Sequence, residues 1–150
     1  MNKQIRILIL AMFFIIGFSV NCGAEQIDVS LETQRFITGE FSNTNSYDRY
    51  ILEDDLEKAE IMLQRCSKSE RKADKFLNTI PYNNKRDMQC ITDAYLIIAH
   101  RALALEDFCL MKKAEIAKNA DEEQKHQEVM YKNWRIAKDL RTKFFDKYGF

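Results

Sequence analysis

The chain is 150 residues long, with 31% charged residues, zero net charge, four glycines and one proline. That length suits one domain of ordinary size. Turn residues this scarce exclude a β-sandwich or barrel, which needs them about every 8–12 positions, and balanced charge without a basic stripe gives no support for nucleic-acid binding.

Met1 to Arg6 carries two positive charges and Ile7 to Val20 carries none. These are the n-region and h-region of a secretory signal peptide. The apolar run is 14 residues long, short of the roughly 20 that a transmembrane helix needs. Two cleavage readings compete. In one, residues 1–24 are removed, with Cys22 and Ala24 as the small residues of the site. In the other, cleavage falls before Cys22, which resembles the acylated cysteine of bacterial lipoproteins, although Ser19-Val20-Asn21 departs from the usual Leu-Ala-Gly. Both readings place the mature protein outside the cytoplasm, periplasmic or secreted, and membrane-anchored only if Cys22 is lipidated. Loss of Lys3 and Arg6 leaves 21 basic against 23 acidic residues, a net of −2.

Residues 25–46 are polar, with Gly39 and a Ser42-Asn43-Thr44-Asn45-Ser46 cluster of loop composition. Phe36, Ile37 and Phe41 are too few to build a core. The segment reads as a flexible arm, or as an extended stretch laying Phe36 and Phe41 onto the helical domain of residues 47–150. Ser46 is placed to cap a first helix. Behind it Leu52, Leu56, Ala59, Leu63, Cys66, Ala73, Leu77 and Ile80 form a seam of threes and fours, as in helices packed nearly antiparallel. Glu70 interrupts the seam, and Ser67-Lys68-Ser69-Glu70 fits a capping box. The pattern predicts one helix of about 50 Å ending at Pro81, or two helices if it breaks near Ser67.

Asn83 or Asn84 caps the next helix. In it Met88, Ile91, Tyr95, Ile98, Ala102 and Leu105 recur at the helical period. Ala94, Leu96, Ile97, Ala99, Leu103 and Ala104 widen the stripe over most of the circumference, so this helix is covered on more than one side. It continues to Lys118. Asn119-Ala120-Asp121 marks a stop and restart, with Asp121 as cap. A last helix presents Met130, Trp134, Ala137, Leu140, Phe144 and Tyr148 on one face, its polar first turns projecting past the bundle. The expected fold is all-α, an antiparallel bundle of three long helices around the central one, four if the first breaks near Ser67.

An alternative topology is a set of tetratricopeptide-like (TPR-like) helical hairpins. Ala59, Leu63 and Cys66 resemble the second helix of such a hairpin. Tyr95, Ile98, Ala99, Ala102, Asp107 and Phe108 resemble the first helix of another. Glu106 stands where that pattern has a small residue, and the interval is too long for a regular repeat.

Cys66 and Cys90 are the candidate disulfide, since cysteines commonly pair in an oxidising compartment. In a straight hairpin Cys66 lies opposite residue ~97, some 10 Å along the axis from Cys90, so a bridge requires a bend or the break at Ser67. Otherwise Cys66, Cys90 and Cys109 are small buried apolar residues. Glu123-Gln124-Lys125-His126 has the Glu-x-x-His spacing of helical di-iron sites, with Glu53, Glu57 and Glu60 as carboxylates from another helix. Such sites need a second motif, and His126 lies among charged residues on a solvated face. His100 reads as a packed histidine.

No Gly-rich phosphate loop, serine elbow or Cys-x-x-Cys is present, so no residue takes a catalytic or metal role and no cofactor is implied. The expected function is that of a small non-enzymatic module binding another envelope or extracellular protein. Its candidate surface is Phe144, Phe145, Tyr148 and Phe150, because exposed aromatics anchor partners. The alternative is a small-ligand or metal carrier with a pocket between helices and a buried polar cluster around His100 and Tyr95. Helices that open onto lipid are disfavoured by the near-neutral charge, so the membrane enters only through a lipid on Cys22.

Overall fold

The computed structural model describes residues 27–149, and its regular structure is entirely helical. The helices are α1 (Leu31–Thr44), α2 (Tyr47–Leu52), α3 (Leu56–Leu77), α4 (Lys85–Ile116) and α5 (Ala120–Tyr148). α3, α4 and α5 are the three long antiparallel helices of the bundle. α4 is central, packed against α5 and α3, and α1 lies on α3 and α4 as the fourth packing helix.

Local chemistry sets the helix starts. Asp55 accepts from Lys58 N at 3.0 Å, Asn84 from Asp87 N at 3.2 Å and Asn119 from Glu122 N at 3.4 Å. Each satisfies a donor that the first turn would leave orphaned. The cap of α5 is Asn119, two residues ahead of the expected Asp121, which leaves Asp121, Glu122 and Glu123 in the first turn, against the positive end of the helix dipole. Gly149 closes α5 at φ 70°, a left-handed position that glycine takes without a Cβ penalty.

The first long helix does not break at Ser67. α3 runs through it, with Ser69 and Glu70 turned inward and buried. The interruption falls earlier, where Asp54 adopts φ 57° and Asp55 restarts the chain as a cap. Aspartate tolerates the left-handed region better than most side chains, and Glu53-Asp54-Asp55 supplies it beside a second capping residue.

α4 carries the core. Ile91, Ile97, Ile98, Ala102, Ala104, Leu105 and Phe108 are each at most 1% exposed. Alanines on this helix let its neighbours approach closely, and larger side chains fill the space between.

The described part of the 25–46 arm is not a tether. Ser30 caps α1 by accepting from Thr33 N, and Thr33, Ile37, Phe41 and Thr44 are buried along one face. Phe36 stacks on Phe76 with ring centroids 4.3 Å apart. The buried face mixes Thr33, Glu40 and Thr44 with Ile37 and Phe41, so it carries little hydrophobic signal in sequence. Its threonines nonetheless find partners inside, Thr33 on Asp87 and Thr44 on Arg101. Among the described residues no helix is long and apolar enough to cross a membrane.

Candidate functional site

Two polar features on the α1 side of the bundle stand out from the core. The first is Arg101, 1% exposed and among the largest fully buried side chains. It projects from the middle of α4, between the buried Ile98 and Leu105. Its Nη1 donates to Thr44 Oγ1 at 2.6 Å. Its guanidinium lies 5.2 Å from the Phe41 ring centroid and 5.1 Å from that of Tyr47, so α1 and α2 each supply an aromatic face. Nε and Nη2 are buried with no hydrogen-bond partner. Burial pushes the Arg101 pKa down. Burial also raises the Tyr47 hydroxyl to about 12, against the opposing pull of Arg101.

The second feature is a groove of about 190 Å³ lined by Asn43 at the end of α1 and by Arg65, Lys68, Ser69 and Lys72 of α3. The three bases recur at helical spacing, which gathers them on one flank. Glu40 forms part of the same polar group: it accepts from Ser69 Oγ at 2.5 Å and from Lys72 Nζ at 2.6 Å. Lys72 is thereby paired, and the exposed Arg65 and Lys68 carry the positive charge of the groove.

The C-terminal aromatics do not form the expected surface. Phe144 is 2% and Tyr148 5% exposed. Phe144 meets Phe41 edge-on at 5.2 Å, and the Tyr148 hydroxyl donates to Asp93 Oδ2 at 2.7 Å. Phe145 is half-buried beneath the Arg141 guanidinium. Phe41 of α1 lies against Phe144 and Phe145, which a flexible arm would not, while Tyr148 packs on Phe144 and reaches Asp93 of α4. Phe150 lies outside the described residues, as do Cys22 and the cleavage sites.

Cys66, Cys90 and Cys109 are buried, and no disulfide joins Cys66 to Cys90. They occupy different layers, as a straight hairpin requires. Cys66 is within electrostatic reach of Tyr47 and Arg101, Cys90 of Asp93 and Asp87, and Cys109 of Glu60 and Lys113. Burial raises the Cys109 thiol to about 11, and burial with the two nearby carboxylates pushes Cys90 well above the usual thiol range. Thiolate is the reactive form. Labelling of Cys90 and Cys109 by a thiol reagent at pH 8 is therefore expected to be about 100-fold slower in the native protein than in urea. A denatured, unreduced chain whose Cys90 stays unlabelled would restore the bridge to Cys66.

His126 is half-buried rather than on a solvated face. Its Nδ1 lies 2.9 Å from Asp107 Oδ1 and its Nε2 3.4 Å from Glu122 Oε2. The carboxylate it meets on its own helix is Glu122, not the Glu123 of the Glu-x-x-His spacing. Glu53 pairs with Arg49 and Glu60 with Lys113. Among the described residues no group of three His, Cys, Asp or Glu side chains is placed to hold a metal. His100 Nδ1 lies 2.9 Å from Asn133 Oδ1, and burial lowers its pKa.

Arg101 and the α3 bases are absent from the candidates drawn from sequence. The available signal for Arg101 was a guanidinium on a helix otherwise apolar nearly all round. For the groove it was the Arg65, Lys68, Lys72 spacing. No protein family, characterised protein or solved structure matches the chain.

Proposed function

We propose that the mature protein works outside the cytoplasm as a non-enzymatic interaction module, binding an acidic segment of another envelope or extracellular protein. The leader pattern supports the compartment. The groove between α1 and α3 carries the rest of the reading: it gathers Arg65, Lys68 and Lys72 around Ser69 and Asn43, with Glu40 neutralising only Lys72. Cationic clefts steer acidic partners and select them by charge. Phe144 and Tyr148, buried, and Phe145, half-buried, are not part of this surface.

The test is crosslinking and pull-down from the native envelope fraction with the wild type and with Arg65→Glu/Lys68→Glu. Both residues are exposed, so the variant is expected to fold. Recovery of the partner is expected to fall about tenfold or more in the variant, and in the wild type as salt rises. Recovery equal in both proteins would remove the groove as the docking site.

A second reading, the carrier of a small ligand between helices, is favoured by Arg101 and its unpartnered edge.

A further inference from the structure

We propose that Arg101 is the floor of a binding site for a small oxyanion, a carboxylate or phosphate held on its Nε–Nη2 edge, with Arg141 at the rim. The site is separate from the α1–α3 groove and does not rest on that reading.

The arrangement around the guanidinium leaves one edge for a ligand. The guanidinium lies over the Phe41 and Tyr47 rings and donates from Nη1 to Thr44 Oγ1. Nε and Nη2 remain, buried and unpartnered. That edge carries two parallel N–H donors, whose spacing matches two oxygens of a carboxylate or phosphate. A neutral acceptor would satisfy the hydrogen bonds and leave the charge, whereas an oxyanion answers both.

The electrostatic surroundings lack such a group. A buried cation is costly unless a counter-charge meets it. Among the described residues no carboxylate lies within ion-pair distance of Arg101 or Arg141. Asp48 acts on Arg101 from further off, and its Oδ1 accepts instead from Arg49 N at 2.9 Å. Arg141 is close enough to act on both Arg101 and Tyr47. Its guanidinium stands 5.3 Å from the Phe145 ring centroid, and Phe145 in turn neighbours Phe41. Two guanidiniums from adjacent helices thus converge on one aromatic cluster, one buried and one exposed. An anion drawn in by Arg141 neutralises the charge that the fold has enclosed.

The test is thermal unfolding of the mature protein at pH 7 in rising sodium phosphate or sodium acetate, against sodium chloride at matched ionic strength. The wild-type Tm is expected to rise saturably, by about 5 °C at 100 mM of one oxyanion. The two arms separate a tetrahedral from a planar ligand, and a response to either supports the site. Arg101→Met should abolish the rise, Arg141→Ala should shift its midpoint about tenfold upward, and Arg65→Ala/Lys68→Ala should leave it unchanged. No oxyanion-specific rise in the wild type overturns the proposal. So does an equal rise in Arg101→Met, or loss of the rise in the groove variant. If Arg101→Met fails to fold, Arg141→Ala decides, and an unchanged midpoint there overturns the site.

Discussion

Ile98→Ala is expected to lower stability by about 3–4 kcal/mol and Tm by about 10 °C. Ile98 is 1% exposed and lies in the middle of α4, the helix that packs against both α3 and α5. Its truncation removes buried apolar area from the core of the bundle. It also leaves a cavity, because α4 cannot move towards one neighbour without separating from the other. The cavity term makes such changes cost more than transfer alone. Ile116→Ala is the control: that side chain is 74% exposed at the end of the same helix, and its loss should stay within about 0.5 kcal/mol. Urea unfolding with an unchanged m-value checks both. A cost below about 0.5 kcal/mol for Ile98→Ala would mean that α4 is not the core of the bundle.

The central helix was legible because its signal is redundant. Steps of three and four from Met88 to Leu105 set the period, and the alanines and leucines between them required cover on several sides. Asn84 and Pro81 punctuated it as turn chemistry demands. α1 was not legible, for a reason that can be named. Its buried face mixes Thr33 and Thr44 with Ile37 and Phe41. A threonine reads as polar in sequence and becomes a core residue only when a distant side chain takes its hydroxyl. Asp87 and Arg101 do so, 54 and 57 residues further along the chain. The cap at Ser30 was local, but it followed a polar stretch that gave no apolar run to cap.

The same coupling governs the sites. Reading residues 25–46 as a tether left Phe144 and Tyr148 without cover, and so made them an interaction surface. Once α1 is in place Phe41 sits on Phe144, and the aromatic face at the end of α5 turns inward. One misplaced segment therefore produced both errors. Arg101 went unread because a single base on a helix is usually a snorkelling side chain whose charge reaches water. Its burial follows from Phe41, Thr44 and Tyr47, which belong to the segments whose packing was not visible in sequence. The groove has the same origin, since Asn43 and Glu40 belong to α1 and the bases belong to α3. The separation of the cysteines was legible, because helix rise alone places Cys66, Cys90 and Cys109 at different heights.

Asp87→Ala is expected to cost about 3 kcal/mol and to release α1 from the bundle. Asp87 is 4% exposed. Its Oδ1 accepts from Ser30 N at 3.0 Å, and its Oδ2 from Thr33 Oγ1 at 3.0 Å and from Ser30 Oγ. Removing the carboxylate strands the Thr33 hydroxyl, which is 1% exposed, and unties the Ser30 cap of α1 from α4; a stranded buried donor costs more than the net worth of its bond. The local consequence is specific. Arg35 is exposed on α1 and its peptide bond is protected only by the helical backbone, so trypsin cleavage after Arg35 should accelerate as the helix detaches and frays, before global unfolding. Asp87→Asn, which keeps one acceptor oxygen without the charge, should fall between the two. The pH dependence has a definite sign. Desolvation raises the Asp87 pKa, but the hydrogen bonds from Ser30, Thr33 and Asn84 outweigh it and leave the folded value below the ordinary one. The unfolded carboxyl titrates at about 3.9, so this contribution is complete above that pH and is lost as pH falls through the lower, folded value. Wild type should show that acid-side loss, and Asp87→Ala should lack this component of it. Equal protease protection of the two proteins at pH 7 would mean that Phe36 on Phe76 and Phe41 on Phe144 hold α1 without Asp87.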